Sequence, residues 1–235
     1  MERFVVATGN PDKAREIGEV FSATFDAAFA LLPLHAVEDD APVGFVIIDP
    51  SEDFDPASLP VVVTAPDVEE TGTTLEENAR IKARGVSEAT GLAAIADDTG
   101  LEVDALDGAP GVHSARYAGE DATYAENVGL LLRELTVRGA EGPARTARFA
   151  TVALAAWPDG REIVARGEVE GAITPDPRGV NGFGYDPVFA PDRGDGRTFA
   201  EMSPGEKHAI SHRGRAFRAL VDALGASDGF APPRT

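Results

Sequence analysis

Short apolar runs rich in β-branched residues alternate along this chain with segments whose apolar residues recur at helical spacing. The chain opens with an apolar run over 3–7, a Thr-Gly-Asn-Pro-Asp turn over 8–12 and helical spacing over 13–21. Similar patterns predict helices over 74–89, 123–138 and 208–224, short strands over 92–96 and 188–189, and a β-hairpin over 148–157 and 162–171. The alternation predicts an α/β protein whose mixed sheet is covered by helices on its faces.

The composition is that of a protein with a packed core. With 235 residues, 43% of them hydrophobic, we expect one domain over 1–235. The longest apolar runs hold six residues, against about 18–20 for a membrane-spanning helix, and no signal-peptide pattern is visible. We therefore expect a cytoplasmic protein with no membrane partner. The absence of cysteine leaves oxygen and imidazole as the metal ligands that this chain offers.

Negative charge is concentrated in one stretch of the chain. Fifteen of the 40 acidic residues, and no Lys or Arg, lie between Glu16 and Ala79, and the net charge is −19. The proline-rich part of this stretch, about 31–67, is predicted to be an insertion with β-rich islands at 45–48 and 61–63. We expect no nucleic-acid partner, because nucleic-acid binding depends on a basic surface.

Two acidic motifs suit a magnesium site. The Ala-Asp-Asp-Thr-Gly motif over 96–100 is predicted to place two carboxylates at the end of a strand, one as a ligand and one free as a base. The Glu-Glu-Thr-Gly motif over 69–72 precedes the helix predicted from Thr74. The alternatives are an ordinary acidic turn for the first motif and a charge favoured by the helix dipole for the second.

Three further segments carry binding chemistry. The turn over 8–12, with Asp12 as a predicted N-cap, is suited to hold an anion at the start of a helix. The loop over 182–187 offers two rings that stack on a planar base or, alternatively, anchor the loop to the core. The segment over 207–213 offers cations and imidazoles for phosphate or a purine edge. Zinc is disfavoured there, because no third ligand is apparent.

Taken together and in this order, the motifs resemble the inosine triphosphate pyrophosphatase family, whose members hydrolyse ITP, dITP and XTP to the monophosphate and pyrophosphate. The matching segments are Thr8-Gly9-Asn10 with Lys13, Glu69 to Gly72, Glu77-Asn78-Ala79 with Lys82-Ala83, Ala96 to Leu101, Pro110 to Val112 with Ser114 to Tyr117, Gly182 to Pro187, and Ser211-His212-Arg213. The resemblance implies a three-layer α/β/α fold with two lobes around a central cleft, and a homodimer.

The resemblance also implies roles for individual residues. Asp98 resembles the proton acceptor for the attacking water, and Glu69 and Asp98 resemble the ligands of Mg²⁺. The implied substrate contacts are Thr8, Gly9, Asn10, Pro11, Asp12, Lys13, Thr99, Phe183, Gly184, Tyr185, Asp186, Lys207, His212 and Arg213, with Phe183 stacking on the base. The chain departs from the family pattern in having Thr99 where serine is more frequent, and in the length of the segment over 31–67.

Two other functions are compatible with the sequence. One is a pyrophosphatase for modified pyrimidine or methylated nucleotides, as in the related septum-inhibitor-type family. The other is a nucleotide-binding sensor in which the acidic insertion blocks the cleft and engages a partner protein. Comparing hydrolysis of ITP and XTP with hydrolysis of UTP, dTTP and 5-methyl-UTP distinguishes the first alternative from the purine nucleotide pyrophosphatase. Release of pyrophosphate distinguishes an enzyme from the sensor.

Overall fold

The computed structural model of the chain describes residues 4–8, 10, 12–13, 16–17, 30–33, 45–48 and 68–226. The helices are α1 (Leu75–Thr90), α2 (Tyr124–Val137), α3 (Pro204–Ile210) and α4 (His212–Ala226). The strands are β1 (Phe4–Ala7), β2 (Ala30–Pro33), β3 (Phe45–Ile48), β4 (Ala93–Val103), β5 (Pro110–Gly111), β6 (Thr146–Ala156), β7 (Glu162–Ile173) and β8 (Phe189–Pro191).

The strands form one mixed sheet in the order β2-β3-β1-β4-β6-β7-β8, with β5 paired to β4. Strands β1 and β4 are parallel, with Phe4 opposite Ala93, whereas β1 and β3 are antiparallel. Neighbouring strands β6 and β7 are joined by five residues, too few for a parallel crossover, so they form the predicted hairpin. The predicted α/β class with a mixed sheet is confirmed.

The chain divides into two compact units, each with its own apolar core. Unit 1 comprises 1–98, 152–165 and 216–235, and unit 2 comprises 99–151 and 166–215. The core of unit 1 includes Phe4, Ile95, Phe217 and Leu220, and the core of unit 2 includes Phe149, Leu131, Phe189 and Phe199. Strands β4, β6 and β7 contribute residues to both units. That 1–235 forms a single domain with an insertion at 31–67 stays a prediction.

Helix α1 begins and ends as the sequence predicts. Thr74 accepts the Glu77 N–H at 3.1 Å and the Glu77 carboxylate accepts the Thr74 N–H at 3.1 Å, which completes a capping box. Gly91 ends the helix with a left-handed backbone (φ 69°). Buried Leu75, Ala79 and Ala83 recur every fourth residue, so one face of the helix packs against the core.

The structure corrects two predicted boundaries. The strand predicted to end at residue 96 continues to Val103, because Leu101 and Glu102 pair with β5, and so the two aspartates lie inside a strand rather than at its end. The helix predicted over 208–224 is broken at Ser211, which has an extended backbone (ψ 155°). The Ser211 hydroxyl accepts the Gly214 N–H at 3.1 Å and begins α4 as an N-cap. His208 and His212 therefore lie on different helices.

Some predictions fall on parts of the chain that the structure does not describe. Of the helix predicted over 13–21, the described residues Lys13, Glu16 and Ile17 are helical. The island at 45–48 is confirmed as β3, paired with β2, while the island at 61–63 lies outside the described residues. In the part of the chain that is described, no helix is long and apolar enough to cross a membrane.

Replacing the capping residue of α1 tests this account of how the helix begins. Thr74→Ala removes the acceptor for the Glu77 N–H, and we expect the free energy of unfolding to fall by about 1 kcal/mol in urea titration. Thr74→Ser keeps the hydroxyl and is expected to stay within about 0.5 kcal/mol of the unmodified chain. Equal stabilities of the Ala and Ser variants would contradict the capping role.

Candidate active site

Two consecutive buried carboxylates lie in the interior of β4. Asp97 is 2% exposed and Asp98 is 6% exposed. Neighbouring side chains of a strand point to opposite faces, and the two aspartates accordingly meet different lysines. Asp97 Oδ2 lies 3.5 Å from Lys13 Nζ, and Asp98 Oδ1 lies 3.1 Å from Lys82 Nζ. Each buried negative charge is therefore neutralised by an ammonium group from another segment of unit 1.

Lys82 lies between two carboxylates. Its Nζ is 3.1 Å from Asp98 Oδ1 and 3.1 Å from Glu70 Oε1. Burial by itself lowers the pKa of Lys82, but the charges of Asp98, Glu70 and Asp97 outweigh burial and the pKa is raised. Burial raises the pKa of Asp98, against the opposing effect of Lys82 and Lys13. A carboxylate with a raised pKa is a better proton acceptor than an exposed aspartate.

Asn78 links Asp98 to the loop before α1. Its Nδ2 donates to Asp98 Oδ2 at 3.3 Å, and its Oδ1 accepts the Gly72 N–H at 2.8 Å. A Cβ on Gly72 would lie 2.5 Å from Asn78 Oδ1, so glycine is the residue that allows this approach. Asn78 and Lys82 are four residues apart and share one face of α1, which brings both to the same carboxylate.

The predicted anion-binding turn is described in part, since Gly9 and Pro11 lie outside the described residues. Asn10 Oδ1 accepts the N–H groups of Asp12 at 2.9 Å and Lys13 at 3.2 Å. Asn10, and not Asp12 as predicted, therefore caps the helical residues that follow. The turn brings Lys13 to Asp97, and the side chain of Lys13 retains 18% exposure.

In unit 2, a second cluster is built around Thr99. The hydroxyls of Thr99 and Thr151 are 2.7 Å apart, and Arg213 Nη2 donates to Thr99 Oγ1 at 3.2 Å. Arg213 is 2% exposed, so its guanidinium is a charged donor held away from solvent. The neighbouring His212 is buried with its ring stacked on Phe149, the centroids 4.4 Å apart.

The aromatic loop over 182–187 is held by a buried ion pair. Lys207 Nζ lies 2.6 Å from Asp186 Oδ2, and both residues are less than 5% exposed. The same carboxylate oxygen accepts the Phe183 N–H at 2.8 Å. Gly182 has φ 71°, and a Cβ there would lie 2.0 Å from Asp186 Oδ2, so a larger residue would displace the carboxylate.

The rings of the aromatic loop are placed differently. Phe183 is half-buried, with Lys207 Nζ 5.1 Å and Arg213 Cζ 5.5 Å from its ring centroid. Tyr185 is buried and its hydroxyl donates to the carbonyl of Ser114 at 2.9 Å, while burial raises its pKa. The first ring fits the predicted stacking role, and the second anchors the loop to the core, which is the alternative left open from the sequence.

The donor set in unit 1 fits a magnesium ion that is also bound by phosphate. Mg²⁺ takes one or two carboxylates from a protein and completes its shell with water and substrate phosphates. Asp98 and Glu70, both 3.1 Å from Lys82 Nζ, supply two such carboxylates. Among the described residues, no three His, Asp or Glu side chains group closely enough to hold a metal by themselves. Glu69 is exposed, and its predicted role as a ligand stays a prediction.

Several site residues were not assigned a role from the sequence. Asn78 and Lys82 belong to the motif over 77–83, and their helical spacing is a signal that they share a face. Glu70 stands beside Glu69 in the acidic motif, and the sequence pattern does not show which of the two turns toward Lys82. Thr151 lies 52 residues from Thr99 in the sequence. No local pattern indicates their contact, because the order and register of the strands in the sheet determine which residues of β4 and β6 meet.

Comparison with known proteins identifies the family of this chain. The model of the Ham1 family matches residues 4–223. This chain belongs to the Ham1 family. The match extends over both clusters described above and confirms the resemblance seen in the sequence motifs.

Relatives in the Ham1 family include proteins of known name and structure. The chain is 52% identical over 159 residues to the dITP/XTP pyrophosphatase of Streptomyces coelicolor, covering 68% of this chain and 78% of the relative. It is 44% identical over 233 residues to the dITP/XTP pyrophosphatase of Thermus thermophilus, covering 99% and 95%. The structure of a HAM1 protein from Coxiella burnetii matches with TM-score 0.72 and 36% identity, covering 97% and 100%.

Breaking the ion pair between Asp186 and Lys207 tests how much this pair contributes to the stability of the protein. Lys207→Met removes the cation from the buried Asp186 carboxylate, and we expect the free energy of unfolding to fall by about 3 kcal/mol in urea titration. The double variant Asp186→Asn with Lys207→Met keeps an acceptor for Phe183 without the charge, and is expected to recover part of the loss. A double variant no more stable than Lys207→Met would contradict this explanation.

Proposed function

We propose that this protein is a Mg²⁺-dependent nucleoside triphosphate pyrophosphohydrolase that converts dITP, XTP and ITP to the monophosphate and pyrophosphate. The observation that carries the proposal is the buried Asp98 carboxylate, held by Lys82 and Asn78 beside Glu70. The dITP/XTP pyrophosphatases among its relatives support the same reaction. Such an enzyme removes non-standard purine nucleotides from the nucleotide pool.

The cluster in unit 1 is proposed to bind the triphosphate. Lys13 and Lys82 supply two ammonium groups, and Asp98 and Glu70 are the carboxylates that would hold Mg²⁺ together with phosphate oxygens. Bound there, the ion would neutralise phosphate charge and polarise the phosphoryl oxygens. Phosphoryl transfer needs mainly positioning and charge neutralisation from a protein, and this cluster offers both.

Asp98 is proposed to accept a proton from the attacking water. The water oxygen forms a bond to the α-phosphorus, the bond from that phosphorus to the bridging oxygen of pyrophosphate breaks, and the proton of the water passes to the Asp98 carboxylate. The raised pKa of Asp98 favours this transfer. Lys13 stabilises the negative charge that develops on departing pyrophosphate.

The cluster in unit 2 is proposed to bind the base. Phe183 offers a half-buried ring for stacking, and Arg213 offers a buried donor. Hypoxanthine and xanthine present an oxygen at position 6, which accepts such a donor, whereas adenine presents an amino group that would leave it unpaired. An unpaired buried donor can give discrimination on the order of 10⁴. Asp98 of the first cluster and Thr99 of the second are consecutive in the sequence.

Three further expectations belong to this proposal. The protein is expected to act as a homodimer, in the cytoplasm, and without a nucleic-acid or membrane partner. The acidic charge of the sequence supports the absence of a nucleic-acid partner, since −19 disfavours a polyanion as large as a duplex.

A substrate panel tests the reaction. With Mg²⁺, we expect pyrophosphate release from dITP, XTP and ITP to exceed release from dATP by at least about 100-fold in kcat/KM. Chelation of divalent ions is expected to stop turnover. Preference for UTP, dTTP or 5-methyl-UTP would favour the modified-nucleotide alternative, and binding of dITP without any release of pyrophosphate would favour the sensor.

Removing the proposed base tests the mechanism. Asp98→Asn keeps the size of the side chain but cannot accept the proton, and we expect kcat for dITP to fall by at least about 10³-fold. Binding of the product dIMP, measured by calorimetry, is expected to stay within threefold, about 0.7 kcal/mol. Turnover at the rate of the unmodified enzyme would remove Asp98 from the mechanism.

A further inference from the structure

Tyr124 contacts Phe183, the side chain that we propose stacks on the base. It is the first residue of α2, directly after the N-cap Thr123. Its ring centroid lies 5.9 Å from that of Phe183, with the planes tilted by 38°. Aromatic pairs at 4.5–7 Å attract one another, so the two rings form one aromatic surface in unit 2.

The start of α2 holds Tyr124 in place. The Thr123 hydroxyl accepts the Glu126 N–H at 3.3 Å, and the Glu126 carboxylate accepts the Thr123 N–H at 2.8 Å. This capping box fixes the first turn of the helix, and buried Asn127 ties that turn to the neighbouring segment through the Ala118 N–H at 2.8 Å. Tyr124 therefore projects from an ordered turn.

The exposure of Tyr124 separates it from the core rings of unit 2. Phe149, Phe189, Phe199 and Tyr185 are all at most 6% exposed, whereas Tyr124 is 42% exposed while still contacting Phe183. A ring with one part packed and the other part open has area left for a planar ligand. Proteins that bind unpaired bases use such rings, because every base offers a flat aromatic face.

Charge around the pair favours an aromatic ligand that carries oxygen. Lys207 and Arg213 both lie within 5.5 Å of the Phe183 centroid. Cations attracted to a ring hold it in position and place donors beside it. An oxo-purine offers a flat face to the rings and acceptor oxygens to the donors.

We propose that Tyr124 is a second aromatic wall of the base site, which contacts the purine of a bound nucleotide alongside Phe183. The inference rests on the proposed function, since it takes Phe183 to be the stacking ring. It adds a residue that determines binding of the base and leaves binding of the phosphates to unit 1.

Kinetics of variants at position 124 separate stacking from packing. Tyr124→Phe keeps the ring and is expected to retain most of the affinity for dITP. Tyr124→Leu keeps apolar packing against Phe183 but lacks the aromatic face, and we expect it and Tyr124→Ala to raise KM for dITP about tenfold, with a much smaller change in kcat. Restoration of KM by Leu would show a packing role and overturn the proposal.

A ligand without a base gives the matching control. Pyrophosphate, the second product, is expected to inhibit the Tyr124 variants with an inhibition constant within twofold of that of the unmodified enzyme. An equal rise in the KM for dITP and in the inhibition constant for pyrophosphate would overturn the proposal, because it would show a general disturbance. Val137→Ala, at the exposed far end of the same helix, controls for changes to the surface of α2.

Fluorescence tests for direct contact. The chain has one tryptophan, Trp157, which lies in unit 1. An indole introduced by Tyr124→Trp is expected to be quenched on titration with dIMP, beyond any change in the unmodified protein, but not with deoxyribose 5-phosphate. Binding of dIMP by calorimetry with no such quenching would overturn the proposal. If the unmodified enzyme hydrolysed no dITP, the proposed function would fail first, whereas normal hydrolysis with an unchanged KM in Tyr124→Ala would refute this inference alone.

Discussion

The neutralisation of two consecutive aspartates inside a strand is the interaction on which the rest of the structure depends. Asp97 and Asp98 are buried in β4, and an ionised carboxylate buried without a partner costs several kcal/mol. Lys13 and Lys82 supply the partners, one for each aspartate, because successive residues of a strand face opposite ways. This requirement fixes where α1 and the first turn lie against the strand. Asp98 is the carboxylate whose pKa burial raises, and Lys82 and Lys13 are the two ammonium groups that oppose this shift.

In unit 2, the aromatic ring of Phe183 is held in place while part of it stays exposed. A buried ion pair between Asp186 and Lys207 lies beneath Phe183, and the carboxylate also accepts the Phe183 N–H. The half-buried ring is therefore held by charge and backbone as well as by packing, and part of its area remains accessible. Each cluster lies within one compact unit, and the chain passes from one to the other between Asp98 and Thr99. The match to the Ham1 family covers both clusters, and relatives of this chain include dITP/XTP pyrophosphatases.

Much of the fold was predictable because its signals are local. The capping boxes at Thr74 and Thr123, the hairpin and the strand at 45–48 each depend on residues close in sequence. One error arose where pairing with another strand overrode a local pattern, since pairing with β5 extends β4 through a motif that looks like a turn. The other arose where one local signal overrode another, since the capping hydroxyl of Ser211 divides what periodicity indicates is one helix.

The sequence by itself determined the types of group available to the site: carboxylates in two acidic motifs, three lysines, a glycine-rich aromatic loop and a basic helix start. Their order along the chain sufficed to indicate a family. Only the tertiary structure decided which groups meet. Glu70 rather than Glu69 turns to Lys82, Asn78 joins Gly72 to Asp98, and Tyr124 reaches Phe183. Such contacts depend on the register of strands and the rotation of helices, which are set by packing over the whole chain, so the local sequence does not identify the partner of a given residue.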